Sequence, residues 1–96
     1  MQITIKGVNL DVTEALDVHA RKKLEKINTH LKTITSIDII LKIENHKHIA
    51  EGTVLCPHHT FFAEADNGDM YAAIDKLAKK LLAQVDKYKN KVTDHH

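Results

Sequence analysis

The sequence contains few of the residues that mark several protein classes. It has one cysteine, one proline, three glycines and no tryptophan, and no apolar run approaches the roughly 18 residues of a membrane-spanning helix. A single cysteine, Cys56, excludes an internal disulfide, and the N-terminal residues lack the apolar core of a secretory signal. These absences predict a cytoplasmic protein that does not enter a membrane.

Residues that commonly carry catalysis are also scarce. The glycines at positions 7, 52 and 68 are isolated, so no glycine-rich loop is present to bind a phosphate. Ser36 is the only serine and has no local base. Cys56 lies near His58 but falls on the expected core side of a strand, where cysteine is usually a small buried hydrophobe. The sequence therefore predicts neither an enzyme nor a cofactor.

Eight histidines raise the question of a metal site. Six of them form three pairs, namely His46 and His48, His58 and His59, and His95 and His96. Such pairs bind transition metals adventitiously, whereas a structural zinc site usually has four ligands and more cysteine. We expect no physiological metal. A metal-dependent or thiol enzyme built on His46, His48, Cys56 and His58 is the weakest of the alternatives.

Hydrophobic periodicity predicts one domain, residues 1–96, with an aliphatic core, because 43% of residues are hydrophobic and only 4% aromatic. Apolar residues at three- or four-residue steps predict helices over 13–32 (Leu16, Ala20, Leu24, Ile27, Leu31) and Asp69–Lys91 (Met70, Ile74, Leu77, Leu81, Val85, Tyr88). Alternation predicts strands over Met1–Lys6, Ile37–Glu44, Ile49–Cys56 and Thr60–Asp66.

The predicted order is β-α-β-β-β-α. The first helix connects two parallel strands through a right-handed crossover, and the last three strands form an antiparallel meander. Both helices are expected on one face of the four-stranded sheet, giving a two-layer α+β fold.

Charge is unevenly distributed along the chain, although its net value is only +1. The two predicted helical segments hold 11 of the 14 Lys+Arg and 6 of the 13 Asp+Glu, a balance of +5, and the remainder carries −4. Basic helices of this kind favour a polyanionic partner, although lysine is also common on any solvated helix face. With aromatic residues scarce, structured RNA held through its phosphates is a better fit than bases stacked on the sheet.

The residues then match a known family. The opening MQITIKGVNLDVTEAL, the KLEKI of the first helix, and AEADNGDMYAAIDKLAKKL with the following QVDKYKNK carry the resemblance over essentially the whole chain. The sequence resembles the short hibernation-promoting members of the ribosome-associated inhibitor and sigma-54 modulation protein family. Their fold is similar to a double-stranded RNA-binding domain with a strand added in front.

The resemblance implies a non-enzymatic protein of stationary phase and the stress response. It would bind the 30S ribosomal subunit in the tRNA and mRNA channel, contact 16S rRNA and block translation. Acting alongside ribosome modulation factor, it would promote dimeric, inactive 100S particles from 70S ribosomes. It would lack the C-terminal dimerisation domain of long members and be a monomer in solution. A generic double-stranded RNA-binding module is the main alternative.

Nine lysines are the candidate RNA-binding residues, some through the resemblance and the others as neighbours on the same helix faces. They are Lys22, Lys23, Lys26, Lys76, Lys79, Lys80, Lys87, Lys89 and Lys91. Ala83 stands in the middle of this basic band, where relatives often have an arginine, and Lys22 and Arg21 are expected to compensate.

Overall fold

Four strands with alternating apolar and polar residues form one sheet, and the amphipathic helices pack on one side of it. The structure is a computed structural model that describes residues 1–93, with side chains described for residues 1–90. Its elements are β1 (Gln2–Val8), α1 (Glu14–Glu25), α2 (Ile27–His30), β2 (Ser36–Glu44), β3 (Lys47–Cys56), β4 (His59–Asn67) and α3 (Met70–Thr93). No helix in this described part of the chain is long and apolar enough to cross a membrane.

The sheet has the predicted topology. Its strand order is β1-β2-β3-β4, with β1 parallel to β2 and the other two pairs antiparallel. Ile3 lies opposite Ile37 and Ile5 opposite Ile39, so the apolar residues of β1 and β2 share one face. The predicted two-layer α+β fold is confirmed, and each predicted strand end lies within two residues of the observed end.

The prediction of one continuous first helix was wrong. Helix α1 stops at Glu25, and α2 adds a single turn after Lys26. The carbonyl oxygen of Lys26 accepts hydrogen bonds from both the backbone N–H and the hydroxyl of Thr29, at 3.1 and 2.6 Å. Leu31 is then extended. Threonine competes with helical hydrogen bonding in this way, so the segment breaks before the apolar stripe ends.

Side-chain caps start both long helices. The hydroxyl of Thr13 accepts a hydrogen bond from the backbone N–H of Leu16, and Asp69 accepts one from the N–H of Tyr71. Asp69 itself donates its backbone N–H to the side chain of Asn67. Thr13 and Asp69 are therefore the N-cap residues of α1 and α3.

The core lies between the sheet and the helices. The predicted stripe of α3 is buried from Met70 through Val85, and Tyr88 packs against its end. Helix α1 contributes Ala20 and Leu24, and Ile27 of α2 follows. Ile43 continues the apolar alternation of β2 but is 48% exposed, close to the β2–β3 turn.

Within residues 1–93, no helix covers the opposite face of the sheet. Phe62 and Leu55 are exposed there, and Lys42 forms an ion pair with Glu51 at 2.7 Å. The hydrogen bond to Glu51 raises the pKa of Lys42.

Gly52 sets how closely α3 approaches the sheet. A Cβ atom at this position of β3 would lie 2.9 Å from Cδ1 of Leu81 and 3.2 Å from Cδ2 of Leu77. Both leucines are fully buried, so neither has free space to move into. A side chain here would lift the helix or force its leucines from their rotamers.

We therefore expect Gly52→Ala to lower the free energy of unfolding by about 1–3 kcal/mol through overpacking. Gly68→Ala is the matched control, because no atom lies within 4 Å of a Cβ added there. Urea denaturation of the two variants measures the difference. Equal stability of the two variants would contradict the close approach at Gly52.

Candidate nucleic-acid interface

Three of the nine candidate lysines converge on one groove. Lys23 of α1, Lys26 after its end and Lys79 of α3 line a cavity of about 270 Å³ between the two helices. Its apolar lining is provided by Ile27, Ala78 and Leu82, and Asp75 is the only acidic residue that lines it among residues 1–90. We call these seven residues the basic groove. Three ammonium groups around an apolar floor suit a phosphate group with an adjoining sugar.

The two long helices that form this groove pack against each other, and each has a small buried residue. Ala20 of α1 and Ala73 of α3 are completely buried. The helix break after Glu25 also matters, because it places Lys26 at the junction of α1 and α2 rather than inside a regular helix. The groove is therefore a product of helix packing as well as helix periodicity.

Two histidine–aspartate pairs link α1 and α2 to α3. Nε2 of His19 lies 2.7 Å from Oδ1 of Asp75, and Nδ1 of His30 lies 2.9 Å from Oδ1 of Asp86. Lys23 also approaches Asp75, at 3.8 Å between Nζ and Oδ1. None of these four residues is among the site residues predicted from the sequence. In each pair the histidine and the aspartate are 56 positions apart in the sequence, and no local sequence pattern predicts a contact over that distance.

A different set of α3 side chains closes the free edge of the sheet. Lys80 donates to the carbonyl oxygen of Glu64 at 2.7 Å, Lys76 to that of Asp66 at 3.3 Å, and Gln84 to that of Phe62 at 2.8 Å. These donors are four residues apart on the helix, and the acceptors are two apart on β4, so the two periods match. An unpaired strand edge invites pairing with another chain, which this arrangement opposes.

The basic band therefore divides into two flanks of α3. Lys79 faces the groove, whereas Lys76 and Lys80 reach toward β4. Each of these two ammonium groups retains further N–H donors, so their RNA-binding role stays a prediction. Ala83 is exposed.

The remaining candidates lie outside the groove. Lys22 borders an open depression near Tyr71, and Lys87 lies beside the ring of Tyr88. Lys89 is exposed on α3. Lys91 belongs to the last turns of α3, but its side chain lies outside the described residues.

Arg21 connects α1 to the first strand of the sheet. Its guanidinium donates to Asp17 at 2.7 Å and to the carbonyl oxygen of Ile3 at 2.9 Å. It thereby holds α1 against the edge of β1. Because the guanidinium is engaged in these bonds, they do not favour the prediction that Arg21 replaces the RNA contact of the arginine that relatives often have at position 83.

The histidines that form pairs in the sequence, and whose side chains are described, lie at different places in the fold. His46 lies in the β2–β3 turn, His48 is half-buried, and His59 stacks on Tyr88 with ring centroids 4.6 Å apart. In residues 1–93, no group of three or more histidine, cysteine, aspartate or glutamate residues is placed to hold a metal. His95 and His96 lie outside the described residues.

Cys56 is buried on the inner face of β3, as predicted. Burial raises the pKa of its thiol, because removal from water disfavours the thiolate. The nucleophilic form is therefore less populated than in an exposed cysteine.

Comparison with known proteins identifies the family. Residues 3–93 match the family model described as Sigma 54 modulation protein / S30EA ribosomal protein. The chain belongs to this family.

Its members include close relatives of this chain over nearly full length. A ribosome hibernation promoting factor from Pseudomonas putida is 38% identical over 91 residues, covering 95% of this chain and 89% of the relative. One from Escherichia coli K12 is 36% identical over 95 residues, covering 99% and 100%. A solved structure of a ribosomal subunit interface protein from Coxiella burnetii superimposes with a TM-score of 0.89 at 37% identity, covering 94% and 99%.

The two flanks of α3 predict different effects for adjacent lysines. We expect Lys80→Met to lower the free energy of unfolding by about 0.5–1 kcal/mol, because the carbonyl oxygen of Glu64 loses its charged donor. Lys79→Met is the matched control and should leave stability nearly unchanged, since Lys79 lines the groove. Chemical denaturation of both variants makes the comparison. A larger loss from Lys79→Met would reverse the assignment.

The buried thiol predicts slow chemical modification. We expect Cys56 in the folded protein to react with a disulfide reagent at least about tenfold more slowly than free glutathione at the same neutral pH, because its thiol is shielded and its pKa raised. Absorbance of the released thiolate measures the rate, and protein unfolded in guanidinium provides the accessible reference. Native reaction as fast as glutathione would reopen the thiol-enzyme interpretation.

Proposed function

We propose that this protein is a ribosome hibernation factor that binds the 30S subunit in the tRNA and mRNA channel, blocks translation and promotes dimeric inactive ribosomes in stationary phase. The observation that carries the proposal is the basic groove, in which Lys23 and Lys26 meet Lys79 from a distant part of the chain. Relatives named ribosome hibernation promoting factor and a structural neighbour titled ribosomal subunit interface protein support the ribosome as the partner.

The proposed mechanism is steric. Lysines of the groove bind phosphates of 16S rRNA, and the sheet occupies the path of the tRNA. The His19–Asp75 and His30–Asp86 pairs hold α1 and α2 against α3, so the groove between the helices is formed before the RNA arrives. Pre-arranged contacts cost less conformational entropy on binding than flexible ones.

Participation of ribosome modulation factor and the formation of 100S particles are further parts of the proposal. They rest on the family relationship and not on a surface of this domain. The protein acts without catalysis, by occupying its site. A generic double-stranded RNA-binding module is the alternative, because the same groove would also suit an A-form duplex.

Sucrose-gradient sedimentation with vacant ribosomes tests the proposal. We expect the wild-type protein to co-sediment with 30S and 70S particles and to dissociate as salt rises, because phosphate binding releases counterions. Replacing Lys23, Lys26 and Lys79 together with glutamine should weaken binding by at least about tenfold and lower the salt dependence. Adding ribosome modulation factor to the wild-type mixture should shift ribosomes toward 100S.

The matched control replaces Lys6, Lys32 and Lys47 with glutamine. These exposed lysines lie outside the basic groove, and the change in net charge is the same. Equal loss in both triple variants would reject the groove as the site, and salt-independent binding would reject the phosphate mechanism. Equal affinity of the wild-type protein for free duplex RNA and for ribosomes would favour the generic RNA-binding module.

A further inference from the structure

Tyr71 is an aromatic residue that the core leaves exposed. It is the second residue of α3, and its neighbours Met70 and Ile74 turn into the core while 39% of Tyr71 remains accessible. It lies on the flank of α3 that faces α1, which is also the flank of the basic groove. An exposed aromatic ring beside cations is a common element of RNA-binding surfaces.

The Tyr71 ring is oriented by a neighbour on α1. Its centroid lies 5.1 Å from that of His19, with the ring planes at 78°. His19 in turn bonds to Asp75 at 2.7 Å, and Asp75 also lies 3.8 Å from Lys23. A short chain of contacts therefore joins the exposed ring to the basic groove. The ring is held in place although it is not buried.

An open depression adjoins this ring. Tyr71, Val18 and His19 form its apolar and aromatic part, and Lys22 provides a cation at its border. Val18 is 57% exposed, an unusual position for a valine on a helix that packs on a core. Glu14 also lines the depression and adds one acidic side chain. The depression thus combines a π-face, an aliphatic wall and a positive charge, which suits a nucleobase and its phosphate.

We propose that this depression binds one unstacked RNA base, which stacks on Tyr71 while Lys22 and Lys23 contact the flanking phosphates. The inference rests on the proposed function and extends it, because the groove alone would recognise only the phosphate backbone. Stacking accepts any base but requires that it be unpaired. The domain would then select a position where an unpaired nucleotide adjoins a structured segment.

Tyrosine fluorescence provides a direct test. The chain has no tryptophan and only two tyrosines, so Tyr88→Phe leaves Tyr71 as the only tyrosine emitter. We expect a single-stranded RNA hexamer to quench this emission, because a stacked base is in van der Waals contact with the ring. A hexamer of the same length made of abasic nucleotides carries the same phosphates and should bind without this quenching.

Affinity measurements with side-chain variants complete the test. Tyr71→Leu should weaken binding of the hexamer by about five- to a hundredfold, and Tyr71→Phe should retain the wild-type affinity, because stacking needs the ring and not the hydroxyl. Neither variant should alter the salt dependence. Phe62→Leu is the matched control, since Phe62 is an exposed aromatic on the opposite face of the sheet.

Contrary results would separate the two proposals. Equal quenching by the normal and abasic hexamers, or equal affinities for the Tyr71→Leu and Phe62→Leu variants, would overturn base binding at Tyr71. Wild-type protein that co-sediments with ribosomes but shows no base-dependent quenching would overturn this inference alone. Quenching by the hexamer without any ribosome association would overturn the proposed function and leave the base site intact.

Discussion

The approach of α3 to the sheet at Gly52 is the constraint on which the surface arrangement depends. Leu77 and Leu81 pack where a side chain on β3 would otherwise lie, so the helix rests close to β3 and β4. At this distance from the sheet, the side chains of Lys80 and Gln84 reach the carbonyl oxygens of β4. The opposite flank of α3 packs beside α1. A helix held farther from the sheet would lose both sets of contacts.

One basic helix consequently has two kinds of lysine. Lys76 and Lys80 are engaged with backbone oxygens of β4, and Lys79 joins Lys23 and Lys26 in the basic groove. Charge counting treats these lysines as equivalent, yet their surroundings differ. The groove is the part of the surface best suited to a polyanion, because its cations come from separate segments and converge on a concave site.

Membership of the sigma 54 modulation protein / S30EA family gives this surface its biological context. The His19–Asp75 and His30–Asp86 pairs are the structural basis for a preformed groove, since they fix α1 and α2 on α3 through polar contacts at the rim of the core. The exposed Tyr71 extends the same surface toward α1. Phosphate binding and base stacking would together give both affinity and a preference for particular RNA geometry.

The sequence by itself determined the order of elements, the parallel first pair of strands, the apolar stripe of α3 and the inward position of Cys56. Each depends on periodicity along the chain, which is a local property. Tertiary structure alone decided the histidine–aspartate pairs and the division of the lysines. The reason is physical: backbone carbonyl oxygens such as that of Glu64 have no sequence signature, and the partner that a helix flank meets depends on how distant segments pack.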